Sequence, residues 1–501
     1  MACFGQKKVK LQQANTLRGQ MTNGVRIDWV IGDVIFVQNE TTIYCDSAIF
    51  NRAENTIQAY GKIRILEGDS VTCTASGLSY DGNKKIAYLR KNVVFTKLQT
   101  ATLYTDFLDY DRNKNEARYF NNGKLVDSTN TLTSKKGYYN LYNNLASFKT
   151  NVVGVNKDYT MTSDTLQYSS KSKFVFFRAL TKLEDKEGGV AYYENGFYDT
   201  KEKKSDLVDG VFETPSYRLK GNRLYLDNIR KLYKAQGNVA MTSKGENMTI
   251  YGDDGYYDRV SGESKVYGHS YVARVMDEKD TLFISADTLM SVENKDPKKK
   301  KLLAWNNVRI FKKDLQGRAD SMVYIASDSI LYFYRDPVLW TDENQMTADS
   351  IHMLLKNKNI NRIYMRSNSF VVSEDTLHNY NQIKGRTMTA FFDGKNIDHV
   401  IVTGNGESVY FALQEKDEQG KVDDKGKKVT YQIVSGMNKI ICSNMRINFK
   451  LGKVNNISFY IKPDASFIPP HDLRPEDKLL KGFMWRGSDR PTRRGVGESK
   501  K

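Results

Sequence analysis

The sequence predicts an all-β fold made of stacked repeats, and three observations support this. A unit of about 30 residues recurs along the first half of the chain. Apolar and polar residues alternate within each unit, and no long segment carries the 3.6-residue apolar stripe of a helix. The aromatic or apolar anchors of the eight regular copies, 28 to 31 residues apart, are Phe50, Tyr80, Tyr110, Tyr139, Tyr168, Tyr198, Leu226 and Tyr257.

Each copy carries a short signature in which a polar, an apolar and an aromatic residue alternate with positions of any type. Asp or Asn often follows the aromatic residue. In Asp164–Tyr168, residues 164, 166 and 168 share one face, as a half-buried strand requires. Polar turns such as Asp111–Asn115 follow, and a second strand returns to a Gly-Asn-Val step such as Gly237–Val239. Each unit is therefore predicted to hold two or three short strands joined by tight turns.

The pattern loosens along the chain and suggests six segments. We expect an N-terminal lead-in over residues 1–25 (with a short helix suggested for Lys7–Arg18), regular repeats over 26–270, divergent repeats over 271–411, a charged flexible loop over 412–430, a final strand pair over 431–465 and a Pro-containing basic tail over 466–501. The proline-rich part of the tail is expected to cap the last repeat, and its basic, glycine-containing end is expected to be disordered.

Composition narrows the class of protein. The 501 residues include 31 Tyr and only 8 Pro, which is typical of a turn-rich β protein. Mean hydropathy is −0.58, and no apolar run approaches the roughly 20 residues of a membrane-spanning helix. The net charge of +17 fits either an acidic partner or lysine-protected strand edges. Because the basic residues are spread over the whole length, they do not favour a nucleic-acid partner.

Motifs for catalysis, cofactor or metal binding are not found, so we predict that the chain is not an enzyme and has no cofactor or metal site. The recurring Asp could be a row of catalytic carboxylates on a polysaccharide-processing β-helix, but one residue per repeat favours a structural role. The five His are scattered, and the four Cys lack zinc-binding spacing and favour simple packing. These are His269, His352, His378, His399 and His471, with Cys3, Cys45, Cys73 and Cys442.

The inward positions of the repeats would form a continuous apolar trough. It could be a filled solenoid core, or a partly open groove suited to acyl chains with basic residues at its rim. The candidate lining residues are Ala48, Phe50, Leu108, Tyr110, Leu166, Tyr168, Leu224, Leu226, Met322, Tyr324, Ile330, Tyr332, Ile351 and Met353.

The repeats resemble the OstA-like family, which includes the lipopolysaccharide transport proteins LptA, LptC and the N-terminal part of LptD. The clearest stretches are residues 106–125, 222–241 and 253–272, and the tail containing Phe467–Leu473 is similar to that of large Bacteroidota members. The resemblance implies an elongated, twisted β-jelly-roll with an open V-shaped apolar interior that carries lipid A acyl chains, and no enzymatic activity.

The resemblance also implies a location and partners. It indicates a periplasmic protein, associated with the outer membrane, although an apolar signal peptide is not visible in Met1–Lys8. Its implied partners are lipopolysaccharide, other jelly-roll Lpt-type proteins stacked edge to edge and an outer-membrane assembly component. The alternative function is a structural or adhesive β-solenoid with a packed core and no lipid cargo.

Overall fold

The computed structural model describes residues 8–497 apart from 69–70, 98–100, 246, 278–279, 342, 358, 395, 423–427 and 451–452. The chain divides into two compact units, Met1–Lys231 (unit 1) and Leu232–Lys501 (unit 2). The prediction of an all-β fold is confirmed, since the described residues contain 38 strands, four short 3-10 turns and no α-helix. None of these helical turns is long and apolar enough to cross a membrane.

Strands within each unit pair antiparallel, mostly with their neighbours along the chain. Unit 1 holds β1 (Lys10–Gln13), β2 (Thr16–Thr22), β3 (Val25–Gln38), β4 (Thr41–Asn51), β5 (Thr56–Glu67), β6 (Val71–Asp81), β7 (Ile86–Lys97), β8 (Ala101–Asp111), β9 (Glu116–Val126), β10 (Thr131–Asn140), β11 (Leu145–Val155), β12 (Tyr159–Ser169), β13 (Phe174–Phe177), β14 (Thr181–Asp185), β15 (Val190–Tyr193), β16 (Asn195–Asp199), β17 (Lys204–Val208), β18 (Val211–Glu213), β19 (Tyr217–Lys220) and β20 (Arg223–Asp227).

Unit 2 continues the same arrangement. Its strands are β21 (Leu232–Ser243), β22 (Met248–Asp258), β23 (Glu263–Tyr267), β24 (Tyr271–Asp277), β25 (Asp280–Ser285), β26 (Thr288–Val292), β27 (Lys301–Lys312), β28 (Leu315–Ile325), β29 (Ile330–Tyr334), β30 (Val338–Thr341), β31 (Asn344–Thr347), β32 (Ser350–Lys356), β33 (Asn359–Glu374), β34 (Tyr380–Asp393), β35 (Asn396–Val422), β36 (Lys428–Lys450), β37 (Lys453–Tyr460) and β38 (Asp464–Ile468). The 3-10 turns are Pro297–Lys299, Pro470–Asp472, Pro475–Asp477 and Gly487–Asp489.

Each long strand bends sharply at its middle. In unit 1, Phe50 pairs with Asp28 on β3, and Phe36 lies eight residues further along β3, which is about 26 Å in a straight strand. The Phe36 and Phe50 rings are nevertheless 5.2 Å apart, so the hairpin folds back on itself. The bend falls where the register shifts, between Ile31 and Val34.

The bends give each unit two walls of strand that face each other across an apolar interior. We call the half of each hairpin that carries the signature the signature wall, and the other half the second wall. Further along unit 1 the two halves become separate strands, because β12 pairs with β13 in the signature wall and with β14 in the second wall. Inward side chains of both walls are buried, which forms the core.

The last residue of the signature closes the turn that follows it. Asp81 Oδ1 accepts hydrogen bonds from the backbone N–H groups of Asn83 and Lys84, at 3.0 and 2.9 Å. The same turn recurs at Asn51, Asp111, Asn140, Asp199, Asp227 and Asp258. An Asx turn needs a short carboxylate or amide at this position, which explains why Asp or Asn ends seven of the eight regular copies. In the eighth, the Ser169 hydroxyl accepts a hydrogen bond from the Ser172 N–H instead.

The first residue of the signature holds the bend of the neighbouring strand. Asp106 Oδ1 accepts a hydrogen bond from the backbone N–H of Asn92, which has a φ of 52° in the bulge. Asp46 holds Lys62 in the same way, at 3.0 Å. Asn is well suited to such left-handed positions. The recurring Asp therefore has a structural role, as predicted, because its carboxylate accepts hydrogen bonds from backbone N–H groups at the bends and turns.

Several segment predictions need correction. The helix suggested for Lys7–Arg18 is wrong over the described residues, because β1 and β2 form there. The segment 412–430, predicted as a charged loop at a hairpin tip or linker, lies largely within the strands of the β35–β36 hairpin, whose residues 423–427 lie outside the described residues. The basic tail, expected to be disordered, packs on unit 2 as far as Val496, which is fully buried. Cys3 lies outside the described residues, and the other three Cys are buried and free, as predicted.

Candidate functional site

The predicted lining residues lie on the inner face of the signature wall, except for the two in β29. All but two of the fourteen are buried, and Leu108, Leu166, Leu224, Met322 and Ile351 have no exposed surface. Ile330 and Tyr332 are half-buried and face the other way, because Leu331 and Phe333 are the inward residues of β29. The predicted inward positions of β29 are therefore wrong by one residue, which exchanges its two faces.

The second wall forms the opposite side of the interior, and none of the lining residues predicted from the sequence belongs to it. Its inward aromatic side chains contact those of the signature wall in unit 1. The Phe95 and Tyr110 rings are 5.5 Å apart, and the Phe177 and Tyr193 rings are 4.1 Å apart. At these levels the interior is filled by side chains rather than open, and burial raises the pKa of the Tyr110 and Tyr193 hydroxyls.

Polar side chains close the mouth of unit 1, where the free ends of the two walls meet. A residue at the end of the second wall reaches a signature strand or the turn after it, 41 to 47 positions further along the chain, and we call each such contact a latch. The latches join Gln38 to Tyr80 and Gly82, Glu67 to Arg112, Lys97 to Leu141 and Asn144, Asp127 to Tyr168 and Lys173, Asp158 to Lys203, and Glu187 to Lys231.

The Asp127 latch is the most buried of the acidic latches. Its carboxylate is 1% exposed, contacts the Tyr168 hydroxyl and lies 2.9 Å from Lys173 Nζ. Burial raises the pKa of Asp127, but hydrogen bonds from Tyr168, Lys173 and the backbone of Thr129 outweigh it, so the pKa is lowered overall. Burial, together with the bond to Asp127, raises the pKa of Tyr168. Asp127 is therefore a charged group held by several donors.

The Glu67 latch joins two hairpins in a similar way. Arg112 Nε lies 2.7 Å from Glu67 Oε2, and Arg112 Nη1 donates to the Tyr80 hydroxyl at 3.0 Å. The Tyr80 hydroxyl in turn contacts Gln38 Oε1 at 2.5 Å, and Gln38 Nε2 donates to the Gly82 carbonyl at 2.8 Å. The Arg112 side chain is 9% exposed and that of Glu67 is 23% exposed, so this latch is largely shielded from solvent.

A signal for the latches exists in the sequence. The second-wall members, at 38, 67, 97, 127, 158 and 187, follow the repeat period, and four of the six are acidic. Their basic partners Arg112, Lys173, Lys203 and Lys231 follow the same period about one and a half repeats later. Charge complementarity at this offset identifies the rim, whereas the apolar signature identifies only one wall.

Unit 2 contains a small apolar cavity between its walls. Its volume is about 50 Å³, and the walls contribute Met346 and Ile383 on one side and Met365, Ala390 and Val400 on the other. The half-buried residues Ile397, Phe449, Val454 and Ile457 continue its lining towards the turns of the last hairpins. None of the predicted lining residues borders this cavity.

A comparison with protein families agrees with the resemblance. Residues 6–164 match the family described as OstA-like protein, so the resemblance is confirmed over that part of the chain. No curated protein matches the sequence. Among solved structures, LptH from Pseudomonas aeruginosa, described as the LptA homologous periplasmic component of the lipopolysaccharide transport device, matches at 14% identity and a TM-score of 0.21, covering 24% of this chain and 82% of that one.

Proposed function

Starting from the OstA-like character of residues 6–164, we propose that the chain is a lipopolysaccharide-binding transport protein. The acyl chains of lipid A would lie in the apolar interior between the two walls, with no covalent chemistry. The observation that carries this proposal is the way the interior of unit 1 is closed. Each wall is held by a continuous backbone ladder, whereas the mouth between the walls is closed by side-chain latches.

Opening the partly exposed latches costs less than an acyl chain would gain by leaving water for the interior. A partly exposed latch is worth about 0–1 kcal/mol. Burying one methylene group releases about 0.8 kcal/mol, so one acyl chain of about ten carbons releases roughly 8 kcal/mol. The interior residues would exchange contacts with each other for contacts with the acyl chain. The two walls would therefore separate locally by opening a few latches, while the backbone hydrogen bonds within each wall stay intact.

The family also supports a periplasmic location and a bridging role between the membranes. Edge-to-edge stacking requires an exposed strand edge. All seven residues of β2 are exposed, and its described pairing is with β3 alone. Lipopolysaccharide transport proteins are not enzymes, and the Asp of the signature has structural partners here. An outer-membrane assembly component would be a further partner under this proposal.

One observation favours the alternative of a structural solenoid without cargo. Aromatic rings from the two walls contact each other in unit 1, and the cavity of unit 2 has room for only about two methylene groups. A core that never opens would look the same. The two functions therefore differ in one property, which is whether the walls separate when lipid is supplied.

The test is to express the full chain with an export signal in a lipopolysaccharide-producing host and to identify bound lipid by mass spectrometry. We expect co-purifying lipopolysaccharide, and we expect Ala390→Val to reduce the bound amount by filling the unit 2 cavity. Thr389→Val, on the opposite face of the same strand, is the matched control and should bind normally. A lipid-free protein that also takes up no added lipopolysaccharide would favour the solenoid.

A further inference from the structure

The outer face of the second wall in unit 2 carries a row of residues that are buried although they point away from the interior. They are direct cross-strand partners of each other, in the order Gln316, Trp340, Gln345, Val372, Gln382 and Val409. All six are buried, and the two central glutamines are at most 1% exposed. Every residue of β30 is buried, because one face of this strand lies in the interior and the other carries the covered row.

The C-terminal tail covers this row and runs across the strands. Gln382 donates to the Lys478 carbonyl and accepts from the Leu480 N–H, both at 2.8 Å. Gln345 does the same with the Met484 carbonyl and the Arg486 N–H, both at 2.7 Å. Each glutamine amide therefore pairs with two main-chain groups of the tail, two residues apart, as a neighbouring strand would.

The side chains of the tail add buried apolar anchors, two ion pairs and a hydrogen bond. Leu480 is 6% exposed and packs with Phe370, Val372, Val409, Phe411 and Met437, while Phe483 and Trp485 are partly buried against the same cluster. Arg486 lies 2.8 Å from Asp336, Arg318 lies 3.3 Å from Asp489, and Arg490 donates to Gln316 at 2.7 Å. Leu479 and Met484 stay exposed.

We propose that this face is a docking surface for an extended peptide, and that residues 470–497 occupy it as a separable ligand in cis. Its glutamine amides bind the main chain of the peptide, while apolar anchors such as Leu480 and ion pairs position it, as on other peptide-binding surfaces. Residues 470–497 form no strand that pairs with the wall, so the tail is held through side chains and not through a backbone ladder. The proposal does not depend on lipid binding.

The experiment uses the full chain with a protease recognition sequence inserted after Pro469. After cleavage, we expect the tail to co-elute with the rest of the chain on size exclusion and to be displaced by an excess of a synthetic peptide of residues 470–497. Salt at about 1 M should speed its release, because the ion pairs are partly exposed. Gln345→Leu and Gln382→Leu should each speed release by at least about tenfold.

The matched control is Gln167→Leu in unit 1, which should leave release unchanged. A tail that leaves only when the β33–β36 strands unfold would overturn the proposal, since it would be part of the core. A tail that leaves at once and does not rebind as a peptide would overturn it equally. If the glutamine variants fail to fold, hydrogen exchange on the uncut chain decides, because a separable tail exposes the Leu480 and Arg486 amides before those of β35.

Discussion

Units 1 and 2 share bent hairpins but are held in different ways. In unit 1 the outer row of the second wall reads Arg64, Thr74, Val94, Tyr104 and Lys124, which solvent reaches, and the mouth is closed by latches. In unit 2 the corresponding row is apolar or glutamine and lies under the tail. The same repeat is therefore stabilised across its interior in one unit and from outside in the other.

The largest expected difference concerns the interiors. Leu166→Ala removes a fully buried side chain from the filled interior of unit 1 and should lower the local free energy of opening by about 3 kcal/mol. Ile457→Ala, at the half-buried lining of the unit 2 cavity, should cost about 1 kcal/mol or less. Hydrogen exchange measured separately for each unit gives both values. Equal costs would mean that the interiors do not differ in packing.

The latches of unit 1 should differ from each other according to burial. Asp127→Asn removes the charge from a carboxylate with 1% exposure and should cost about 2–3 kcal/mol, because Lys173 loses its ion pair in a buried setting. Asp158→Asn, whose carboxylate is 39% exposed, should cost less than about 1 kcal/mol. Urea unfolding followed by exchange at β12 and β14 compares the two. A larger effect at Asp158 would contradict the expectation that burial sets the strength of a latch.

Acid should open unit 1 through Asp127. The pKa of this carboxyl is lower in the folded chain than its unfolded value of about 3.9. Its stabilisation is therefore complete at neutral pH, starts to fall near pH 4 and is lost as the pH drops through the folded pKa. Thermal unfolding between pH 7 and 3 should show this loss in the parent chain and a flatter profile in Asp127→Asn. Identical profiles would exclude Asp127 as the titrating latch.

Of the changes considered for unit 1, added salt should have the smallest effect on its stability. The Asp158–Lys203 and Glu187–Lys231 latches are partly exposed, so about 1 M salt should weaken each by a few tenths of a kcal/mol. The interior ring pairs should not respond. Hydrogen exchange around Lys203, compared with that of β7 and β8, measures the difference. A uniform response across unit 1 would show that the latches are not the salt-sensitive contacts.

The sequence was sufficient to predict the repeat, the strand class and the signature wall, because the signature combines a strand period with a turn position that favours Asp or Asn. It did not reveal the second wall, since runs such as Val34–Val37 are apolar at every position and hide their period. The tail was misjudged because its partners Gln345 and Gln382 lie about 100 or more residues away. Charge and glycine content alone cannot report such distant contacts.

The central claim is that lipid enters the interior between the walls. We would place a photoreactive phenylalanine analogue at Phe95, which faces the interior, or at Tyr104, which is 45% exposed on the outer face, and irradiate the full chain with lipopolysaccharide. The account predicts lipid adducts at position 95 and none above background at position 104. Adducts at 104 but not at 95, from chains that fold equally well, would contradict it.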